Sequence, residues 1–344
     1  MKATINDVAA LAGVSIKTVS RVINREPTVR KTTADKVWSA AKELHYQPNL
    51  AARNLAGTKS YSIGFIYDNP NAYYVIDMQN GILDECKSNG YDLIIHPCNA
   101  HSATIIDELT EMVRASRVAG LVLTPPFSES ADVITALEKL DIQLVRIISG
   151  KAKTHGHIPH ISINDAEAAN SITEHMIKLG HKDIAFISGD KDHKSTNERF
   201  KGYKSALKNA AIHYQKDFVI TGNYSFESGV DGAKKLLAGS HKPTAIFACN
   251  DEIAAGALFA ARLMGVEVPE QLSIAGFEDS PFSRQTWPKL TTAQQPNNEI
   301  AQHATAMLIK QLRSKRAADD DNIEASQSFE PKIVVRDSTC QQMA

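Results

Sequence analysis

The chain has 344 residues, long enough for about two or three domains, and its 43% hydrophobic and 22% charged residues are the balance of an ordinary globular protein. Its net charge of −1 hides a split, because residues 1–59 hold ten Lys/Arg against four Asp/Glu, about +6, leaving about −7 for the remainder. A basic end of this kind suggests a nucleic-acid partner. No apolar run approaches the roughly 20 residues of a membrane helix, and polar residues begin at Lys2 where a signal peptide would need an apolar stretch. A cytoplasmic protein with no membrane partner is expected.

The first element in chain order is a short helix that Thr4 is placed to cap, with Val8, Ala9, Leu11 and Ala12 as its apolar face. Gly13 supplies the freedom for a tight turn, and Ser15 can cap the next helix. In that second helix Val19, Val22 and Ile23 point inward, while Lys17 and Arg21, four apart, share the outer face. Two helices joined this way make a helix-turn-helix, whose second helix enters the DNA major groove by its N-terminal end. A third helix is predicted from about Thr33 to Leu44, packed through Val37, Trp38 and Leu44. Pro48 then breaks the chain, and Asn49–Ala56 is a helix-competent octet ended by Gly57. A helix this short is marginal alone in water, so it needs a partner or DNA to fold.

From Ser60 onward apolar strands alternate with amphipathic helices. Strands are predicted at Ile63–Tyr67, Leu93–His96, Gly120–Thr124 and Leu144–Ile147, then at Asp183–Ile187, Phe218–Ile220, Ala245–Cys249 and Ser273–Gly276. Helices are predicted near Tyr74–Ser88, Ile105–Ala115, Val133–Leu140, Ala166–Leu179, Phe200–Asn209, Glu227–Leu237 and Glu252–Met264. Two such sets give an α/β fold with two doubly wound lobes and a ligand cleft near the carboxyl ends of their strands. No Gly-x-Gly-x-x-Gly follows any strand, and no Gly-x-Ser-x-Gly, P-loop or metal-binding cluster is present, so no catalytic residue, metal or cofactor is expected. Cys86, Cys98, Cys249 and Cys340 are scattered without a CxxC pair or a His at the usual metal-ligand spacing, and are expected to be buried or inert thiols.

The run Thr4-Ile5-Asn6-Asp7-Val8-Ala9 through Gly13-Val14-Ser15 to Thr18–Asn24, the following Glu43–Gly57 and the later Gly276-Phe277-Glu278-Asp279 resemble the LacI/GalR (lactose repressor) family over nearly the whole length. The resemblance implies a headpiece at 1–46, a hinge at 47–59, an N-terminal effector-binding lobe at 60–161 plus 294–326, and a C-terminal lobe at 162–293 plus 327–344, the two lobes being of periplasmic-binding-protein type. It places Ile16, Lys17 and Arg21 at base-reading positions and Thr18, Ser20 and Asn24 on phosphates. It also implies that Leu55 is a minor-groove wedge, with Arg53 on the adjacent backbone. A leucine on a short helix is more often a core residue, but this octet is too polar to bury much.

In the effector pocket the resemblance implies Arg199, standing three before Gly202, with Ser195 on the same segment. Asn250 and Asp251, Glu278 in the place of a more usual aspartate, and Tyr224 as an aromatic cover complete the second-lobe set. Tyr73 and Tyr74 would line the pocket from the first lobe. Arg146 is either a ligand contact or a surface pair, and Val145–Ser149 lacks an aspartate that some sugar-binding members carry. Carboxylates, amides, an arginine and an aromatic suit a mono- or disaccharide. The implied protein is a homodimeric, carbohydrate-responsive repressor on a near-palindromic double-stranded operator. A purine-responsive regulator with co-repressor logic and a sugar-binding transport protein are the alternatives, and the sequence leaves open whether the effector releases or tightens DNA binding.

Overall fold

The computed structural model describes residues 3–23, 29–46, 60–152, 155–317 and 326–342. The chain divides into two compact units, one made of segments 1–62 and 90–92 and the other of 63–89 and 93–344. The predicted hinge octet, with Arg53 and Leu55, and also Asn24 lie outside the described residues.

The first unit contains α1 (Ile5–Ala12), α2 (Ile16–Ile23) and α3 (Lys31–Glu43). Val8, Val19 and Val37 are fully buried where the three helices meet, with Val22, Ala40 and Ala41 around them. The Asp7 carboxylate accepts from both the N–H and the hydroxyl of Thr4 at 2.8 Å, closing the start of α1. Gly13 takes the left-handed conformation at φ 65° that the turn requires. Ser15 Oγ then accepts the Thr18 N–H at 3.1 Å, the cap expected for α2. Two predicted core residues are not in the core, since Leu11 is 47% and Trp38 42% exposed. At about 100° per residue each lies roughly 100° off the middle of its buried stripe, so neither can reach a seam already filled by valine and alanine.

The second unit is built on two sheets. The strands of the first are β1 (Ser62–Tyr67), β2 (Asp92–Pro97), β3 (Gly120–Leu123), β4 (Gln143–Ser149), β5 (His160–Ile163) and β11 (Ser326–Phe329), in the order β11-β5-β4-β3-β1-β2. β3 runs parallel to β1 and β4, and β5 runs parallel to β4 and β11. The second sheet has the order β7-β6-β8-β9, with β6 (Ile184–Ile187), β7 (Val219–Ile220), β8 (Ala245–Ala248) and β9 (Ser273–Ala275), all parallel. A separate antiparallel ribbon joins β10 (Thr292–Gln294) to β12 (Lys332–Val334). β3, β6 and β8 are buried along their whole length, as strands covered on both faces must be.

The covering helices of the first sheet are α4 (Ala72–Asn89), α5 (Ile105–Ser116), α6 (Ala131–Glu138) and α12 (Asn297–Ala317). Those of the second are α7 (Asp165–Lys178), α8 (Lys194–Asn209), α9 (Phe226–Ala238) and α10 (Asp251–Leu263), with a short α11 (Pro281–Gln285) following β9. α12 packs on α4 and on β3, β4 and β5, and a Cβ at Gly81 of α4 would overlap the Asn298 carbonyl. Sequence patterning does not predict α12, β5, β10 or β11. β5 is four residues long with alternate residues half-buried, too short for a periodic signal. α8 begins six residues before its predicted start, because its first turns carry polar residues that face a cleft rather than an apolar core. Among the described residues no helix is long and apolar enough to cross a membrane.

Candidate functional site

A cleft opens past the ends of strands β1, β4, β5, β9 and β10, where Asn71, Ser149, Asp165, Glu278 and Gln295 come together. Its centre is Arg199, on the inner face of α8 four residues after Ser195 and 3% exposed. Arg199 Nε donates to Asp165 Oδ1 at 2.8 Å, and Nη1 donates to the Cys249 carbonyl at 2.6 Å and lies 3.6 Å from Glu278 Oε1. The guanidinium is stacked on the Phe277 ring, 3.7 Å from its centroid. Its longest hydrogen bond is Nη2 to Gln295 Oε1 at 3.5 Å, so Nη2 is the donor most readily given to a ligand. Burial pushes this guanidinium down, and the charges of Asp165 and its neighbours more than offset that, so it stays protonated.

Two carboxylates share the arginine. Asp165, the first residue of α7, also accepts the Ser149 hydroxyl at 2.6 Å. Glu278 sits just past β9 at φ 103°, a backbone conformation a glutamate rarely adopts, and Tyr224 stands at φ 67°. Such strain persists only where the surroundings impose it, and it gathers at functional sites. Burial pushes the Glu278 carboxyl up to about 7 despite Arg199. Glu129, behind Ser149, is likewise raised to about 7 by burial; its Oε1 accepts the Ser149 N–H at 2.8 Å.

Tyr224 lines the cleft, with its hydroxyl 2.7 Å from Thr196 Oγ1 and 3.0 Å from Ser195 Oγ, and with the His193 ring edge-on at 5.5 Å. Desolvation lowers the His193 pKa, which favours the neutral imidazole. From the first sheet come Tyr74 and Asn71. Asn71 precedes α4 and accepts the N–H groups of Tyr73 and Tyr74 at 3.1 and 3.2 Å, which leaves its amide free to donate to Glu278 Oε2 at 2.5 Å.

Of the predicted effector residues, Tyr74, Ser195, Arg199, Tyr224 and Glu278 meet at this cleft. Tyr73, Asn250 and Asp251 are not brought to its wall. Tyr73 turns its ring edge-on to Phe282 at 5.6 Å. Asn250 caps α10, accepting the Ile253 N–H at 2.9 Å and donating to the Tyr224 carbonyl at 3.3 Å. Asp251 is fixed behind the site by the Thr292 hydroxyl at 2.6 Å and the Ser280 N–H at 2.7 Å, with its carboxyl raised by burial to about 8. Arg146 is neither a surface pair nor a cleft residue: it is 2% exposed, and its guanidinium donates to the carbonyls of Ser128 and His155 at 3.3 and 2.9 Å.

Sequence patterning missed Asn71, Ser149, Asp165, His193 and Gln295. One signal was available for Asp165. The chain carries two strand–Asn–Asp–helix junctions, Asn164-Asp165 after β5 and Asn250-Asp251 after β8, and the cleft uses the first.

In the headpiece, Ile16, Lys17 and Arg21 are all exposed on α2, and Ile16 leaves 51% of its surface bare, unusual for a β-branched apolar residue in a small core. Thr18 and Ser20 are half-buried, and the Thr18 hydroxyl is 2.9 Å from Ser15 Oγ. An exposed face with one bare isoleucine beside two cations has the chemistry to meet base edges and a thymine methyl.

Residues 4–49 match the model of bacterial regulatory proteins of the lacI family, and residues 173–339 match that of the periplasmic binding protein-like domain. The HTH-type transcriptional repressors PurR of Yersinia pestis and Yersinia pseudotuberculosis are 33% identical over 338 residues, covering 98% of this chain and 96% of theirs. This chain belongs to the LacI family. It is a ligand-responsive transcriptional repressor of that family, with the family's helix-turn-helix and periplasmic-binding-protein-like fold. Among solved LacI-family structures, the Lac repressor dimer bound to operator and the anti-inducer ONPF is 25% identical, with a TM-score of 0.75 over 99% of this chain and 100% of that one. The transcriptional regulator CelR–cellobiose complex shares the fold at a TM-score of 0.73 and 24% identity, over 98% and 99%.

Proposed function

We propose that this LacI-family protein binds a near-palindromic operator as a homodimer through Ile16, Lys17 and Arg21, represses a carbohydrate-utilisation operon, and is released by a small uncharged sugar held at Arg199. The observation that carries the effector class is the charge and donor pattern of the cleft. Two carboxylates, Asp165 and Glu278, face one guanidinium, with the amides of Asn71 and Gln295 and the Ser149 and Ser195 hydroxyls around them. Carboxylates and amides accept from and donate to ligand hydroxyls, while a phosphate or uronate would meet an already acidic wall. Arg53 and Leu55, with the rest of the hinge, belong to the same proposal as the DNA-dependent element that couples the two ends.

A second reading, a purine effector, is favoured by Tyr74 and Tyr224, which both line the cleft and could cover a planar base. Calorimetric titration of the full-length protein with neutral mono- and disaccharides, uronates and purine bases separates the two. Saturable binding of a neutral sugar that also releases operator DNA supports the proposal. Binding confined to a purine, or to an acidic sugar, overturns it.

A further inference from the structure

We propose that His96, Cys98 and Glu108 form a binding site for a zinc-class divalent transition-metal ion, apart from the effector cleft. In β2 alternate residues face the same way, so His96 and Cys98, either side of Pro97, project together. Both are half-buried, whereas Ile95 and Pro97 are exposed. Backbone pairing persists there, with the Cys98 N–H donating to the Tyr67 carbonyl at 3.1 Å. Glu108, in the first turn of α5, closes over this face, and its Oε1 lies 2.9 Å from His96 Nε2. The imidazole nitrogen, the thiol sulfur and a carboxylate oxygen all lie within 4.8 Å of one another.

One nitrogen, one sulfur and one oxygen ligand suit Zn²⁺ or Co²⁺ rather than Mg²⁺ or Ca²⁺, which take oxygen alone. Tetrahedral coordination would need the His96–Glu108 contact to open by a few tenths of an ångström, and water would fill the fourth position. A thiolate and a glutamate balance the charge of a divalent ion. Asp68, whose Oδ2 accepts the Ala100 N–H at 2.7 Å, adds a further negative charge near the sulfur. The pair escapes spacing rules because metal motifs are usually sought as CxxC or as His on one helix face, not as His-x-Cys on a strand. None of the three ligands lines the effector cleft, so this site stands independently of the effector proposed above.

Co²⁺ titration of the reduced full-length protein, followed by absorption, tests the site. One equivalent should give a thiolate-to-cobalt charge-transfer band that Zn²⁺ bleaches. Cys98→Ser should remove the band, and Glu108→Gln, at a partly exposed position, should weaken binding more than about tenfold. A band that survives Cys98→Ser overturns the proposal, since the sulfur would then come from another cysteine. So does binding that is insensitive to Glu108→Gln but lost on His157→Ala, which would place the ion at the Glu138, His155 and His157 cluster instead. Absence of any band up to millimolar Co²⁺ overturns it as well.

Discussion

The Asn71 amide donates to the Glu278 carboxylate at 2.5 Å, tying the loop after β1 to the loop after β9 across 207 residues of sequence. Asn71 is held by the two N–H groups it accepts at the start of α4, and Glu278 by a strained backbone, so neither end can follow the other freely. The contact therefore reports the relative position of the two cleft walls, and a ligand must either share it or replace it.

If that bond holds the walls together, Asn71→Ala and Glu278→Ala should each lower the stability of the ligand-free protein, and the pair should be non-additive by about 1–2 kcal/mol, the scale of a hydrogen bond to an ionisable acceptor. A double-mutant cycle on denaturant unfolding measures this. Strict additivity would show that the contact contributes nothing.

Arg199→Met should cost about 3–5 kcal/mol, because it leaves Asp165 and Glu278 buried without the cation that faces them. Adding Asp165→Asn should recover part of that loss. Arg199 thus carries structure as well as ligand contacts, so its neutralisation is to be read by unfolding and by effector titration together. Unchanged stability of Arg199→Met would refute the arrangement.

The carboxyl groups of Glu278 and Glu129, raised by burial to about 7, and of Asp251, raised to about 8, make stability fall with rising pH. Between the ordinary carboxylate range and those values the folded state binds more protons than the unfolded state. Their contribution is then fully present below about pH 4 and lost as pH climbs through about 7–8. Unfolding measured from pH 5 to 8 should show a downward slope that Glu278→Gln and Asp251→Asn each flatten. A slope that neither substitution changes would assign it to other groups.

On the DNA side, Arg21→Ala should cost about 1–3 kcal/mol of operator binding and relax the choice at one base pair, whereas losing a phosphate contact weakens all sequences alike. Binding-site selection with the variant reads this directly. An unchanged consensus would remove Arg21 from base reading.

The alternation of buried strands with amphipathic helices was legible in the sequence because β3, β6 and β8 are covered on both faces and so carry unbroken apolar runs. The headpiece was legible through the apolar periodicity within each helix, with Val8, Val19 and Val37 meeting in one buried cluster, and through the cap and turn residues Thr4, Gly13 and Ser15. Arg199 and Ser195 were reached only through the family resemblance, because the predicted helix began at Phe200; the structure sets both on α8, four residues apart and so on one face. Only the tertiary structure decided which of two identical Asn-Asp junctions serves the cleft. Asp165 meets Arg199 at 2.8 Å, while Asp251 is claimed by Thr292 and Ser280, and these partners lie 34, 41 and 29 residues away. Local sequence fixes where a side chain starts and which face it shares. What that side chain finally touches depends on contacts made by distant segments, and hydrogen bonding to a buried carboxylate is short-ranged enough that those contacts settle its role.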